Sequence, residues 1–222
     1  MRISKLTVLT AIFVCAASAA HAQPVTITRI KGEVQIRRAN SKDWVVAEPD
    51  FTLEKGDRIR TLKNGKAELL FPVGTLLMIK EESEVQISKA GDGKGGGSVK
   101  TILGAVLLNI KQGLDPGSTF EIDGLSALGV VRGTVLRVEV DVDTTSYWHG
   151  FESPVEVSNE QGRWTMEAGT NCRVDPFGKP IPGGCRTMTL PECIREFAID
   201  ETDEALAAEI ERKLSGEIPS DS

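Results

Sequence analysis

The feature that most constrains this chain is an alternation. Residues 135–142 read Val-Leu-Arg-Val-Glu-Val-Asp-Val. Val135, Arg137, Glu139 and Asp141 fall on one face, and Leu136, Val138, Val140 and Val142 on the other. A period of two places successive side chains on opposite faces of an extended chain and predicts a half-buried strand. A second β-rich run, residues 128–131, lies just before it, and Arg132-Gly133-Thr134 separates the two. A glycine between two apolar runs predicts a bend or a close approach of backbone to backbone. The remaining segments read as layers packed around this pair.

The first 22 residues have the form of a secretory signal. Arg2 and Lys5 precede an apolar run at 6–17, and Ala20-His21-Ala22 offers a small-x-small cleavage site. Cys15 follows Val14 rather than a small residue, which argues against lipid attachment. Cleavage after Ala22 would leave a mature chain in the periplasm or secreted, with no later run long and apolar enough to span a bilayer. Without Arg2 and Lys5 the charges are 24 basic against 32 acidic. An acidic chain without a basic stripe argues against nucleic acid and against anionic membrane surfaces as partners.

Strand-like runs recur at residues 25–30, 32–38, 44–47, 58–61, 66–71, 75–80, 84–88, 145–151, 155–158 and 163–167. Gly56-Asp57 supplies turn chemistry, and Asn64-Gly65 is a hairpin signal. The glycine-rich stretch 91–98 reads as a flexible loop tip, because no buried strand and following helix frame it as a phosphate cradle. Glycines at 32, 65, 74, 104 and 133 each open a strand, at uneven spacing. The expected fold is all-β, a rolled two-sheet sandwich or a short solenoid-like β domain. Its expected divisions are an all-β domain at 23–170, a Pro/Gly/Cys-rich extension at 171–198, and a C-terminal helix with a disordered tail at 199–222. Residues 191–197 could form a short helix. Residues 200–214 form a better one, with a stripe of Leu206, Ile210 and Leu214, acids at its start and bases at its end.

Candidate chemistry is sparse. His149 is the one histidine beyond the signal, and it reads as a surface or satisfied side chain rather than as part of a nucleophilic triad. The segment 141–152 resembles a calcium loop, but Ser146 stands where the turn needs glycine. Three cysteines, Cys172, Cys185 and Cys193, fit no paired zinc-ligand spacing. In an oxidising compartment one disulfide and one spare thiol are expected. Joining Cys172 to Cys185 would close a proline- and glycine-rich loop and stabilise by about 3 kcal/mol in the chain-entropy model. Joining Cys185 to Cys193 is the alternative, and spacing does not choose. Trp44, Trp148 and Trp164 are far apart in sequence and read as core.

Two stretches together carry a family likeness. The first is Leu53-Glu-Lys-Gly56-Asp57-Arg-Ile-Arg-Thr61, followed by Asn64-Gly65-Lys-Ala67 and Gly74-Thr-Leu-Leu-Met. The second is Arg132-Gly133-Thr134 with its alternating strand, followed by the hairpin-like residues 155–162. In order and spacing they resemble a FecR-type domain over roughly residues 25–170, with Val73 in place of that family's acidic residue. The resemblance implies an all-β export domain without catalytic activity or cofactor. Full-length regulators of this kind carry a cytoplasmic anti-sigma segment, a membrane helix and a region contacting a TonB-dependent transducer. This chain shows neither that segment nor that helix, and it looks like the stand-alone exported members. The expected role is an envelope interaction or signal-sensing module that meets a protein partner through strand edges or loops. A cell-wall or polysaccharide-binding accessory protein is the alternative.

Overall fold

The computed structural model describes residues 24–72, 74–91, 96–110 and 118–215. The expected signal at 1–22, the centre of the glycine-rich stretch at 92–95 and the expected tail beyond 215 lie outside the described residues. In chain order the strands are β1 (Val25–Lys31), β2 (Val34–Arg37), β3 (Val45–Val46), β4 (Thr52–Leu53), β5 (Arg58–Thr61), β6 (Lys66–Leu70), β7 (Leu76–Ile79), β8 (Glu84–Lys89) and β9 (Ser98–Asn109). They continue with β10 (Phe120–Asp123), β11 (Leu128–Val131), β12 (Val135–Val140), β13 (Ser146–Gly150), β14 (Val155–Asn159), β15 (Gly162–Met166), β16 (Asn171–Val174) and β17 (Pro180–Pro182). Two helices follow, α1 (Leu190–Phe197) and α2 (Glu201–Ser215).

The strands are hydrogen-bonded into one sheet that folds on itself as two layers. The first layer runs β4-β1-β6-β7-β9-β12-β13-β16-β17. The second runs β3-β2-β5-β8-β9-β10-β11-β14-β15. The 12-residue β9 belongs to both, because its first half pairs with β8 and β10 and its second half with β7 and β12. Neither β9 nor β10 announces itself clearly in the sequence. Gly104, which reads as the start of a strand, instead sits inside β9 with φ +79° and bends it from one layer to the other. The bend expected at residues 132–134 is present and carries the chain from β11 in the second layer to β12 in the first.

Between the layers lies one apolar core. Leu136, Val138, Trp148, Leu108, Ile27 and Leu77 face it from the first layer, and Ile36, Ile59, Val85, Ile122, Val131 and Val157 from the second. Phe71 and Phe120 meet edge to face at 4.9 Å. Burying one such aliphatic side chain stabilises by about 1.5–3 kcal/mol, so the core fixes the strand registers. Gly97 belongs beside it: a Cβ there would lie 2.6 Å from the Phe71 ring. The end of the glycine-rich stretch is therefore a close approach of backbone to core, not a loop tip.

The chain changes layer repeatedly, and four of the changes stack along one edge. They lie at residues 31–33, 62–65, 81–83 and at Gly104. Leu62 N donates to Glu33 O at 3.0 Å, Glu82 N to Leu62 O at 3.4 Å, and Ala105 N to Ser83 Oγ at 3.0 Å. A Cβ on Gly32 would meet Asn64 O at 2.5 Å, and one on Gly65 would run into Glu33 O. Only glycine lets these corners lie backbone on backbone. Asn64-Gly65 is thus a corner and not the hairpin its sequence suggests, because β5 and β6 lie in different layers.

Strand pairing continues past residue 170. β16 pairs with β13, and β17 pairs with β16, inside the stretch that reads as loop. The two helices then cross the outer face of the first layer. Thr189 caps α1 in a capping box with Glu192, and Pro191 sits in its first turn. Ile194, Phe197, Cys193 and Ala207 pack on Met78, Ala105, Leu107 and Val135. The strand predicted to be half-buried, β12, is consequently buried on both faces. On α2 the residues turned inward are Asp203 and Ala207, while Leu206 and Leu214 of the expected stripe are exposed. Arg29 is the reason: it pairs with Asp203 at 3.0 Å and draws that face of α2 onto the sheet.

Candidate functional site

Of the family side chains at Asp57, Thr61, Ala67, Arg132 and Thr134, all but one are held inside the fold. The buried Asp57 carboxylate accepts from Ala39 N at 2.9 Å, Glu54 N at 3.1 Å and Arg38 Nη1 at 2.6 Å, closing the turn before β5. Gly56 has φ +91° and lies against Ala39. Thr61 Oγ1 donates to Lys80 O and accepts from Ser83 N, which ties two stacked corners together. Gly65 is the corner described above, Ala67 is in the core, and Gly74 sits in the exposed turn before β7. Thr134 is buried, and its Oγ1 accepts from Glu152 N at 3.2 Å and Ser153 N at 3.0 Å. That hydroxyl holds the turn between β13 and β14 against the 132–134 bend.

Arg132 is the exception. It is exposed and has no hydrogen bond or ion pair among the described residues. With Gly133, Val130, Ser153, Pro154 and Glu156 it lines an open cleft of about 670 Å³ on the outer face of the second layer. Val130 and Glu156 are register partners across β11 and β14, so the cleft wall is regular sheet. Its floor is the Thr134-clamped turn. The arrangement presents one unpaired guanidinium beside a carboxylate on a rigid surface. It is suited to recognising a polar group, and it holds no nucleophile–base pair.

His149 does not sit at the surface. It is 6% exposed on β13, opposite Arg137 of β12, and its Nε2 lies 2.6 Å from Arg186 O. Nδ1 is buried and has no partner among the described residues, so the side chain is only half satisfied. Burial pushes its pKa below the ordinary histidine value; the hydrogen bond to Arg186 opposes this, and Arg137 adds to it. Arg137 is itself 4% exposed, paired with Glu139 at 2.7 Å and Glu196 at 3.2 Å. Burial works against its charge, but the two carboxylates outweigh it and hold its pKa above the ordinary arginine value. Lys66 Nζ donates to Glu196 O and Ala198 O, the free carbonyls at the end of α1. This polar layer fastens α1 to the sheet. Sequence reading missed it, although an arginine and a histidine on the outward register of adjacent strands were visible.

The three cysteines are free thiols. Cys185 Sγ lies 3.2 Å from the carbonyl oxygen of Cys172, so the favoured pair are neighbours across β16. Cys193 is buried in the cluster beneath the helices, among Phe197, Ile194 and Leu107. Burial pushes the thiols of Cys172 and Cys193 up to about 12, which makes each a poor nucleophile. Among the described residues no group of histidine, cysteine and carboxylate side chains could hold a metal ion. No helix among them is long and apolar enough to cross a membrane.

The geometry defines a class: a two-layered β domain with a rigid polar surface and a docked helical extension. Comparison with known proteins gives the family. Residues 57–159 match the model of the family described as FecR protein, and over those residues the chain is a FecR-type domain. No curated protein matches the chain. Among solved structures it is similar to two crystal structures of a protein described as "a putative anti-sigma factor from Parabacteroides distasonis ATCC 8503". Each shares 15% identity at a TM-score of 0.51, over 59% of this chain and 60% of that one. At that identity the likeness is one of fold, and this chain spans only part of the length of that protein. The family match supports a signalling or regulatory module.

Proposed function

We propose that this chain is a non-catalytic signalling module of the cell envelope, exported by its first 22 residues, that works by recognising another protein. The FecR match over residues 57–159 carries the reading. It is supported by how the family residues are used: Asp57, Thr61, Gly65, Ala67 and Thr134 build the fold, and Arg132 alone presents an unpaired charge at the surface. The crystal structures it resembles in fold are of a protein described as "a putative anti-sigma factor".

In an oxidising compartment Cys172 and Cys185 would join, each thiol losing a proton and the pair giving two electrons to a thiol oxidant. The test is crosslinking in intact cells followed by purification of the tagged chain. Protein adducts that disappear in R132E, with an unchanged melting temperature, are the expected result. Adducts to glycan alone, or retention of the chain in the cytoplasm with all three thiols free, would overturn it.

A further inference from the structure

A second surface lies at the opposite end of the second layer, where β3, β2 and β5 are neighbours. The chain as a whole is acidic, at a net charge of −6. Yet the outward positions of β2 and β5 carry Gln35, Arg37, Arg58 and Arg60, because Ile36 and Ile59, which alternate with them along the strands and pair with each other, face the core. Trp44, just before β3, reaches over this face. The Arg60 guanidinium carbon lies 4.2 Å from its ring centroid and that of Arg37 4.9 Å. Trp44 is therefore not the core residue its type suggests.

What matters is the balance of charge. Arg58 is paired with Glu84 at 2.9 Å. Arg60 contacts only the neutral Gln35, through Nε at 2.9 Å and Nη2 at 2.6 Å. Arg37 has no hydrogen bond or ion pair among the described residues, and its one contact is the indole. Two guanidinium groups are thus gathered on one ring, and neither is in hydrogen-bond or ion-pair contact with a carboxylate among the described residues; Glu84, the register partner of Arg60 on β8, is engaged by Arg58. Stacking on an aromatic face orients a guanidinium and leaves its in-plane donors free for an oxyanion. Beside them, Val45 is 50% exposed and Val46 64% exposed. Among the described residues β3 pairs with β2 alone, so its other edge is unpaired.

We infer that Arg37, Arg60 and Trp44, with the open edge of β3, form a docking surface for an extended acidic segment of a partner protein. The segment's backbone pairs with the strand edge, its apolar side chains cover Val45 on the face of Ile36, and its alternating carboxylates lie on the outer face beside Val46 and meet the two guanidinium groups. An anionic glycan would share the charge but has no use for a strand edge or for two valines. The inference rests on the reading that this chain recognises a protein.

The experiment titrates the full chain with a short peptide of alternating Glu and Val, with its Lys/Val counterpart, and with oligogalacturonate. Binding is read by tryptophan fluorescence. Trp148 is buried in the core and Trp164 partly so, and W44F assigns the signal. Binding of the acidic peptide alone is expected, weakened by added salt and about tenfold or more in R37Q/R60Q at an unchanged melting temperature. Equal binding by the double variant, no binding of the acidic peptide, or equal binding of the uronate would overturn it. A crosslinked protein partner that persists in R37Q/R60Q removes this surface and leaves the general reading standing. Absence of any protein adduct to the wild type, with peptide binding intact, does the reverse.

Discussion

Single side chains here carry unequal weight, and burial decides which. Asp57 is the clearest case, with one carboxylate serving three donors from two segments. Asp57→Ala strands those donors and should lower stability by about 3 kcal/mol, read from the urea midpoint at constant slope. Arg137→Ala leaves Glu139 and Glu196 without their cation. Because both carboxylates keep some solvent, the expected cost is about 2–3 kcal/mol, below the usual figure for a fully buried pair. His149 adds a pH dependence whose direction follows from its lowered pKa. The unfolded chain takes up a proton near the ordinary histidine value while the folded chain resists it. Its contribution is therefore complete above about pH 6.5 and is lost as the pH falls through the folded value. Melting temperature should drop between neutral and mildly acidic pH in the wild type, and by visibly less in H149N. Parallel curves for the two would refute the assignment. The Asp57 turn was legible in advance, but the Arg137–His149 layer was not, since sequence shows that Arg137 faces away from Leu136 and Val138 but not that a helix will cover it.

At the scale of elements, what sequence revealed depended on whether the signal was local. β12, β14 and both helices were legible because their signals are written within them: period in the strands, Pro191 at the start of α1, acids then bases along α2; the Thr189 cap of α1 was not read from the sequence. β9 was not, because its two halves answer to different neighbours and Gly104 interrupts its pattern. The same physics misled the reading of Asn64-Gly65, whose turn chemistry is right but whose flanking strands pair elsewhere. Gly104 offers the sharpest check at this scale. Its φ is +79° and an added Cβ would collide with Ser83, so Gly104→Val combines backbone strain with overpacking. A loss of about 3 kcal/mol or failure to fold is expected, with no comparable effect from valine at the exposed Gly74→Val control beyond its local strain.

For the molecule as a whole, the question is what the helices do for the sheet. They cover Met78, Leu107 and Val135 and satisfy the charges of Arg29 and Arg137. A chain ending at Thr189 should keep its two layers, because their shared core lacks any residue of α1 or α2. It should also bind a dye for exposed apolar surface and self-associate more strongly than the full chain. A truncated chain that stays monomeric and dye-silent would mean the helices are ornament. The family residues were legible because each performs a local task that demands its type, as Thr134 does for the turn at Glu152 and Ser153. The Arg37–Trp44–Arg60 group was not, since it forms only when a loop folds back over two strands.

The column of corners at Gly32, Gly65, Ser83 and Gly104 also bears on how such a chain could drift over generations. A residue inserted at a rim turn, such as that between β14 and β15, lengthens one loop and disturbs nothing beyond it. A residue inserted between two corners would push each later winding off the carbonyl it rests on. Descendants of this architecture are therefore free to vary in length around the rims but are held to fixed intervals along that edge.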